Sequence, residues 1–181
     1  NRSESIVLVA EAGERMAVWG DPGVGKPRWR NRVGEAASRK AELKPPYMTQ
    51  DYERMFRPGQ TATDFVCDSS PLKEERERAR AYLGWTGFLF SEMTALSAGL
   101  SGGQKAKAFF AKLAYRDSHL ILMDEPTRNI SPLQLPPVRH MLKDFKGTLI
   151  FVTHDKALVE AAATAVYALT PQGLRPVDPY D

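Results

Sequence analysis

Short apolar runs alternate with longer polar stretches of helical composition along the chain. Runs typical of buried strands lie at residues 6–9, 16–19, 120–123 and 148–153. Segments with helical periodicity or composition lie at residues 71–80, 104–115 and 135–145. Strands that alternate with helices in this way predict an α/β fold with a mostly parallel sheet.

The composition narrows the class of protein. The 181 residues include 25 Lys and Arg against 22 Asp and Glu, a net charge of +3, and 43% are hydrophobic. These values are typical of one globular domain rather than a disordered chain. The single cysteine, Cys67, excludes an internal disulfide framework. The apolar runs are far shorter than the roughly 18 residues of a membrane span, and no signal peptide opens the chain. We therefore expect a cytoplasmic protein.

A glycine-rich turn follows the apolar run at residues 16–19. Residues 20–26 read Gly-Asp-Pro-Gly-Val-Gly-Lys and match the P-loop pattern as far as its lysine. Glycines at these positions let backbone N–H groups close around phosphate oxygens, and Lys26 adds a cation. Pro27 stands where the motif has a Ser or Thr that binds Mg²⁺, and proline has neither a hydroxyl nor an N–H. Taken alone, this broken match is also compatible with an ordinary strand-to-helix turn.

Three further motifs place polar groups at the ends of predicted elements. Residues 100–104, Leu-Ser-Gly-Gly-Gln, open a helix, and free N–H groups there form either an anion site or an ordinary N-cap. Asp124 and Glu125 end an apolar strand, where alternating side chains predict different roles for the two carboxylates. His154 follows the last predicted strand, and a lone histidine in such a place is more often structural than functional.

The order of these motifs, with Gln50 between the first and the second, resembles the nucleotide-binding domain of ATP-binding cassette (ABC) ATPases. The resemblance spans nearly the whole chain. It implies a P-loop NTPase core plus a small helical subdomain at about residues 51–98 that carries the signature motif, all within a single domain, residues 1–181. We also expect Gly23 and Asp124 to stand on adjacent strand ends.

The resemblance implies ATP and Mg²⁺ as ligands and phosphoryl transfer to water as the reaction. Glu125 would polarise the attacking water, His154 would contact the γ-phosphate, and Gln50 would assist catalysis. Asp124 and Gln50 would position Mg²⁺. Nucleotide binding is assigned to two groups of residues: Gly20, Asp21, Pro22, Gly23, Val24, Gly25, Lys26, Pro27 and Arg28, and, toward another subunit's nucleotide, Ser101, Gly102, Gly103 and Gln104.

The spacing of the motifs makes the chain resemble one family of ABC ATPases in particular. The interval from Glu125 to His154 is shorter than in transporter ATPases, and residues 145–148, Phe-Lys-Gly-Thr, resemble the ABC-F family of soluble, ribosome-associated ATPases. That resemblance implies a role in translation or ribosome protection, with the ribosome or its RNA as a partner. The short interval argues against a membrane partner. The alternatives are an ATP-binding subunit of an ABC transporter and a catalytically impaired nucleotide-binding module.

A domain of this kind holds two incomplete half-sites, so the resemblance implies a second ABC domain, in the same or a sister chain, paired head to tail. Ser131 replaces the aspartate that the family has in the loop between the two domains. ABC-F proteins normally carry two cassettes, and we therefore expect this chain to be an N-terminally truncated fragment that covers the second one.

The segment after Lys26 fits the family poorly. Read one nucleotide out of frame, codons for the expected Ser-Thr-Leu-Ala encode Pro-Arg-Trp-Arg, the residues found at 27–30. We hypothesise that part of residues 27–45 is a frameshifted segment, which the coding DNA would test. The alternative is a diverged, inactive site with a basic surface. In either case Pro27 predicts impaired ATP hydrolysis.

Overall fold

The computed structural model describes residues 10–19, 47–49, 52–128, 130–170 and 173–178. The chain divides into two compact units. The first contains residues 1–50, 119–126 and 142–181, and the second contains residues 51–118 and 127–141. Residues 51–98, expected to form a helical subdomain, fall inside the second unit, which continues beyond them through the signature motif and its helix. The predicted strand at residues 6–9 lies outside the described residues.

The first unit is built on a six-stranded sheet. Its strands are β1 (Arg15–Trp19), β2 (Tyr47–Thr49), β3 (Leu120–Asp124), β4 (Thr148–Val152), β5 (Ala165–Thr170) and β6 (Gly173–Pro176). They lie in the order β2-β3-β4-β1-β5-β6. Every described pair is parallel except β5 with β6, which is antiparallel. The predicted mostly parallel α/β sheet is confirmed.

Apolar side chains on both faces of the central strands are buried. One core cluster is formed by Met16, Val18, Leu122, Ile150, Val152 and Leu169. The alternate positions of the same strands are buried too, at Ala17, Ile121, Met123, Leu149 and Phe151. A strand that is covered on both faces has a continuous apolar sequence rather than an alternating one. This burial explains why β3 and β4 stand out in the sequence as unbroken hydrophobic runs.

The order of the strands corrects one expectation. β1, which leads toward Gly23, pairs with β4 and β5, and β4 separates it from β3, which ends at Asp124. The prediction of adjacent strand ends was therefore wrong for the strands involved, while Gly23 itself lies outside the described residues. β4 lies between β1 and β3, pairs with both of them, and is almost entirely buried.

The far edge of the sheet ends in a proline. β6 folds back on β5 so that Leu174 pairs with Leu169 and Pro176 pairs with Tyr167. Gly173 has a φ of +117°, a conformation that glycine adopts without strain. Its carbonyl accepts a 2.8 Å hydrogen bond from the Thr170 hydroxyl, which closes the hairpin.

Helices form most of the second unit. In chain order the described helices are α1 (Ala62–Val66), α2 (Lys73–Trp85), α3 (Phe90–Met93), α4 (Gly102–Tyr115), α5 (Leu135–Asp144) and α6 (Lys156–Ala162). Of these, α6 belongs to the first unit, and the last three residues of α5 are also counted in it. Short 3₁₀ helices lie at Glu53–Met55, Ser97–Gly99 and Pro132–Gln134. Among the described residues, no helix has the length and hydropathy that crossing a membrane requires.

The core of the second unit packs aromatic and aliphatic side chains near the buried amine of Lys112. Phe65, Leu83 and Phe109 are almost fully buried. The Lys112 ammonium, 7% exposed, donates 2.7 Å hydrogen bonds to the Phe65 carbonyl and to the Asp68 carboxylate. Burial of a charge is tolerated when partners satisfy it in this way. The amine thus ties α4 to the end of α1.

Candidate functional site

Three parallel strands of the first unit end at one edge of the sheet. The register places Asp124 beside Val152, and Val152 beside Val18 of β1. Because these strands are parallel, the residues that follow them emerge at the same edge. Glu125 and His154 therefore lie close together although they are 29 positions apart in sequence. Asp124, Glu125, Thr153 and His154 are called the strand-edge cluster below.

The backbone turns sharply at Glu125. Its φ is +49°, a left-handed conformation that side chains other than glycine rarely adopt and that costs roughly 1–2 kcal/mol. The Glu125 N–H donates a 2.8 Å hydrogen bond to the Val152 carbonyl, which holds the turn against the neighbouring strand. The strand ends at Asp124, so this turn, rather than strand alternation, sets the direction of the Glu125 side chain. Strained conformations of this kind concentrate at functional sites.

The Glu125 carboxylate contacts the start of the loop after β4. Its Oε2 atom accepts a hydrogen bond from the His154 N–H at 3.3 Å and contacts the Thr153 hydroxyl at 3.5 Å. Its Oε1 atom lies 3.4 Å from His154 Nε2. The Glu125 side chain is 24% exposed and the His154 side chain 45% exposed. Carboxylate and imidazole therefore stand side by side with one face open to solvent.

Two residues that sequence reasoning missed support this pair. Thr153 is fully buried, and its hydroxyl accepts a 3.0 Å hydrogen bond from the Asp155 N–H while contacting Glu125. The Trp19 ring meets the His154 ring edge to face, with centroids 5.9 Å apart. Both residues stand at the ends of strands that the apolar pattern predicted, and that position was the only sequence signal.

The signature motif begins a helix in the second unit. Ser101 caps α4: its hydroxyl accepts from the Gln104 N–H at 3.2 Å, and the Gln104 side chain accepts from the Ser101 N–H at 2.8 Å. This reciprocal arrangement is a capping box. The Gln104 amide also donates to Glu92 at 2.6 Å. The side chain of Gln104, predicted to bind nucleotide, is thus engaged within its own unit.

A glutamine that the sequence did not single out covers the start of the same helix. Gln134 Oε1 accepts a 3.0 Å hydrogen bond from the Gly103 N–H and lies 3.2 Å from the Ser101 hydroxyl. Gln134 Nε2 donates to that hydroxyl at 2.8 Å. No local pattern reveals this contact, because it joins residues more than 30 positions apart. Ser101, Gly103, Gln104 and Gln134 are called the signature cluster below.

The remaining predicted site residues lie outside the described part of the chain. These are Gln50 and the nucleotide-binding residues Gly20, Asp21, Pro22, Gly23, Val24, Gly25, Lys26, Pro27 and Arg28. The described ranges contain no group of three or more His, Cys, Asp or Glu side chains that could hold a metal ion by themselves. Mg²⁺ in nucleotide sites is usually held by one or two carboxylates together with phosphates, and the Asp124 carboxylate is of the kind that such a site uses.

Comparison with known proteins gives the class of the chain. The family model for the ABC transporter family matches residues 28–128, more than half of the chain. A dimeric structure of a post-hydrolysis state of the ATP-binding cassette MJ0796, bound to ADP and Pi, superposes with a TM-score of 0.75 over 97% of this chain and 90% of that one, at 19% identity. The superposition shows the fold, and the chain belongs to the ABC transporter family.

The curated relatives that the chain resembles include an ABC transporter F family member. It is 29% identical over 176 residues to the probable ATP-binding protein YbiT of Escherichia coli O157:H7, covering 93% of this chain and 33% of that protein. It is 27% identical over 168 residues to ABC transporter F family member 4 of Arabidopsis thaliana, covering 87% of this chain and 23% of that protein. The chain therefore spans a third or less of the length of these curated relatives.

Proposed function

We propose that this domain binds ATP with Mg²⁺ and hydrolyses it at an interface with a second ABC domain. One observation carries the proposal: the Glu125 carboxylate is held beside His154 at the open edge of the sheet by a strained turn. Family membership and the dimeric, ADP-bound structure of MJ0796 support it. The glycine-rich segment 20–26 would cradle the phosphates, and Asp124 with Gln50 would position Mg²⁺.

The roles of the strand-edge cluster follow from its chemistry. Glu125 accepts hydrogen bonds on Oε2, while Oε1 only approaches the His154 imidazole and the side chain remains partly exposed, so Oε1 can orient a water for attack on the γ-phosphate. The exposed imidazole of His154 can donate a hydrogen bond to the same phosphate. Mg²⁺ supplies charge neutralisation when it is bound. Ser101, Gly102 and Gly103 would serve the nucleotide of the second domain through donors at the start of the helix α4.

Pro27 is expected to slow ATP hydrolysis. The Mg²⁺-binding hydroxyl and a phosphate-facing N–H are both missing at this position. Each lost charge-assisted hydrogen bond weakens binding by about 1.5–3 kcal/mol. We therefore propose that ATP turnover is slow in the chain as it stands.

The experiment is Mg²⁺-dependent ATP hydrolysis by the full-length protein, with and without Pro27→Ser and Arg28→Thr. These substitutions should raise turnover, and adding Glu125→Gln should lower it by about 10²–10⁴-fold, as expected for loss of a general base. The matched control is Glu160→Gln, on the exposed side of α6. The proposal fails if Glu125→Gln and Glu160→Gln give equal rates.

We further propose an ABC-F-like role in translation or ribosome protection, because the short interval from Glu125 to His154 and residues 145–148 resemble that family of ribosome-associated ATPases. Co-sedimentation of the protein with ribosomes, dependent on ATP and enhanced by Glu125→Gln, is the expected result. Purification with a membrane protein instead would favour the alternative of a transporter subunit.

A further inference from the structure

The side chain of Gln134 forms hydrogen bonds with polar groups of the signature motif. Its Oε1 atom accepts from the Gly103 N–H, and its carboxamide contacts the Ser101 hydroxyl through both of its polar atoms. Gly103 is buried, whereas Ser101 in the same motif is exposed. Two of the donors with which the start of α4 would meet a phosphate, the Ser101 hydroxyl and the Gly103 N–H, are thus bonded to a residue of the same chain.

The fit between Gln134 and Gly103 is tight. A Cβ atom on Gly103 would lie 2.5 Å from Cδ and 2.7 Å from Cβ of Gln134, and closer still to Oε1. Side chains do not pack at such distances, so only a glycine permits this approach. The glutamine therefore lies directly against the helix start rather than beside it.

The backbone around Gln134 fixes where this side chain begins. Pro132 opens the 3₁₀ helix Pro132–Gln134, and the proline ring fixes its own φ. The Gln134 N–H donates to the Ser131 carbonyl at 2.9 Å, and the Leu135 N–H donates to the same carbonyl at 3.2 Å. With the backbone held, the carboxamide can leave the signature cluster only by rotation of the side chain.

We infer that Gln134 is an internal competitor for the signature motif, which must swing away before Ser101 and Gly103 can bind the phosphate of a nucleotide on a second ABC domain. The inference rests on the proposed function. A phosphate makes stronger, charge-assisted hydrogen bonds than a neutral carboxamide, so it can displace Gln134. The displacement makes the pairing of two domains weaker than it would be with a small residue at position 134.

The test follows the Gly103 amide directly. The 181-residue chain is labelled with ¹⁵N-glycine, and the Gly103 resonance, assigned by its loss in Gly103→Ala, is titrated with inorganic phosphate. Gln134→Ala should lower the phosphate concentration at half-saturation by about tenfold, as expected when one net hydrogen bond no longer competes. Gln134→Glu should raise it by at least as much, because a carboxylate accepts from both donors more strongly and repels phosphate.

Leu133→Ala is the matched control, since Leu133 is the preceding residue and is 91% exposed; its midpoint should equal that of the unaltered chain. Equal midpoints for Gln134→Ala, Gln134→Glu and the unaltered chain would overturn the inference. The titration does not depend on residues 20–28. If the protein hydrolyses ATP but the phosphate midpoints of the Gln134 variants are equal, only the inference about Gln134 is wrong. If the midpoint depends on Gln134 but the protein does not hydrolyse ATP, only the proposed catalytic function is wrong.

Discussion

The strand-edge cluster and the signature cluster hold their polar groups in opposite ways. The contacts of the Glu125 carboxylate are long, between 3.3 and 3.5 Å, and they leave the carboxylate and the imidazole partly exposed. At the signature motif the hydrogen bonds are shorter, from 2.6 Å between Gln104 and Glu92 to 3.2 Å between Gln104 and Ser101. Long hydrogen bonds are weak and easily exchanged for others.

This contrast determines how each cluster can respond to a ligand. In the strand-edge cluster, the long contacts of the Glu125 carboxylate can be exchanged for contacts to a ligand by small side-chain movements. The signature cluster must first lose bonds that its own chain satisfies. In the first unit strain is stored in the backbone, at the left-handed Glu125. In the second unit the constraint lies in a side chain packed against a glycine.

The greatest change in stability is expected from the tight packing at the signature cluster. Gly103→Ala places a methyl group against Gln134, and overpacking of this kind destabilises by about 1–3 kcal/mol in spite of alanine's better helix propensity. Urea unfolding measures the change. Gly99→Ala is the control, because nothing lies within 4 Å of the position that a methyl group would take there. Gln134→Ala removes the clash with Cδ and Oε1 but keeps the Cβ atom, so adding it to Gly103→Ala should recover part of the loss, whereas adding Gln134→Gly should recover more. If neither second substitution recovers any of the loss, the packing contrast between the two clusters is wrong.

A smaller effect is expected from the buried hydroxyl of the strand-edge cluster. Thr153→Val keeps the shape but removes the acceptor of the Asp155 N–H and the contact to Glu125, at a cost of about 1–2 kcal/mol in the free energy of unfolding. Thr153→Ser retains the hydroxyl and should cost clearly less. Equal losses for the two variants in urea unfolding would mean that the methyl group, not the hydroxyl, matters at this position.

The weakest effect is a dependence of the second unit on acid pH. Burial alone would raise the pKa of Asp64, but hydrogen bonds from Thr61 and Arg76 outweigh it and lower the pKa. Burial also raises the pKa of Asp68, but hydrogen bonds from Lys112 and Arg116 outweigh this effect and lower the pKa. Because the folded-state pKa values are depressed, this stability is present above the ordinary Asp pKa of about 3.9 and is lost as pH falls through the lowered values.

Amide hydrogen exchange below about pH 4 should therefore show faster opening of α1 and α4, which carry Asp64 and Lys112. Asp64→Asn should flatten this dependence. Glu77→Gln, which breaks only an exposed pair with Lys73, should leave it unchanged. An identical acid response in all three proteins would exclude Asp64 as its source.

Much of the fold could be predicted because strands that are buried on both faces of the sheet have unbroken apolar sequences. Strands β3 and β4 and the helix α4 are found within two residues of their predicted bounds. Helix α5 forms although Pro136 and Pro137 lie in its first turn, where a missing N–H has no partner to lose. Helix α2 continues to Trp85, beyond the predicted end, because Ala79 and Leu83 bury one side of it.

The candidate site was predictable only as far as motifs reach. Glu125 and His154 were found from their place after apolar strands, and the parallel register brings them together. The roles of Thr153 and Trp19 depend on side-chain contacts between strands, which no periodicity encodes. The contact of Gln134 with Gly103 and the strand order β3-β4-β1 are likewise tertiary facts, each set by packing between distant segments.

The antiparallel β6 has a consequence for aggregation. An exposed edge strand is a template on which another molecule can add a strand, and proteins block it with proline, charge or short length. β6 combines all three, with four residues, Arg175 and a terminal Pro176 that lacks an N–H donor. Strand addition at this edge of the sheet is therefore disfavoured, and the parallel core is protected from growing into intermolecular β-structure on that side.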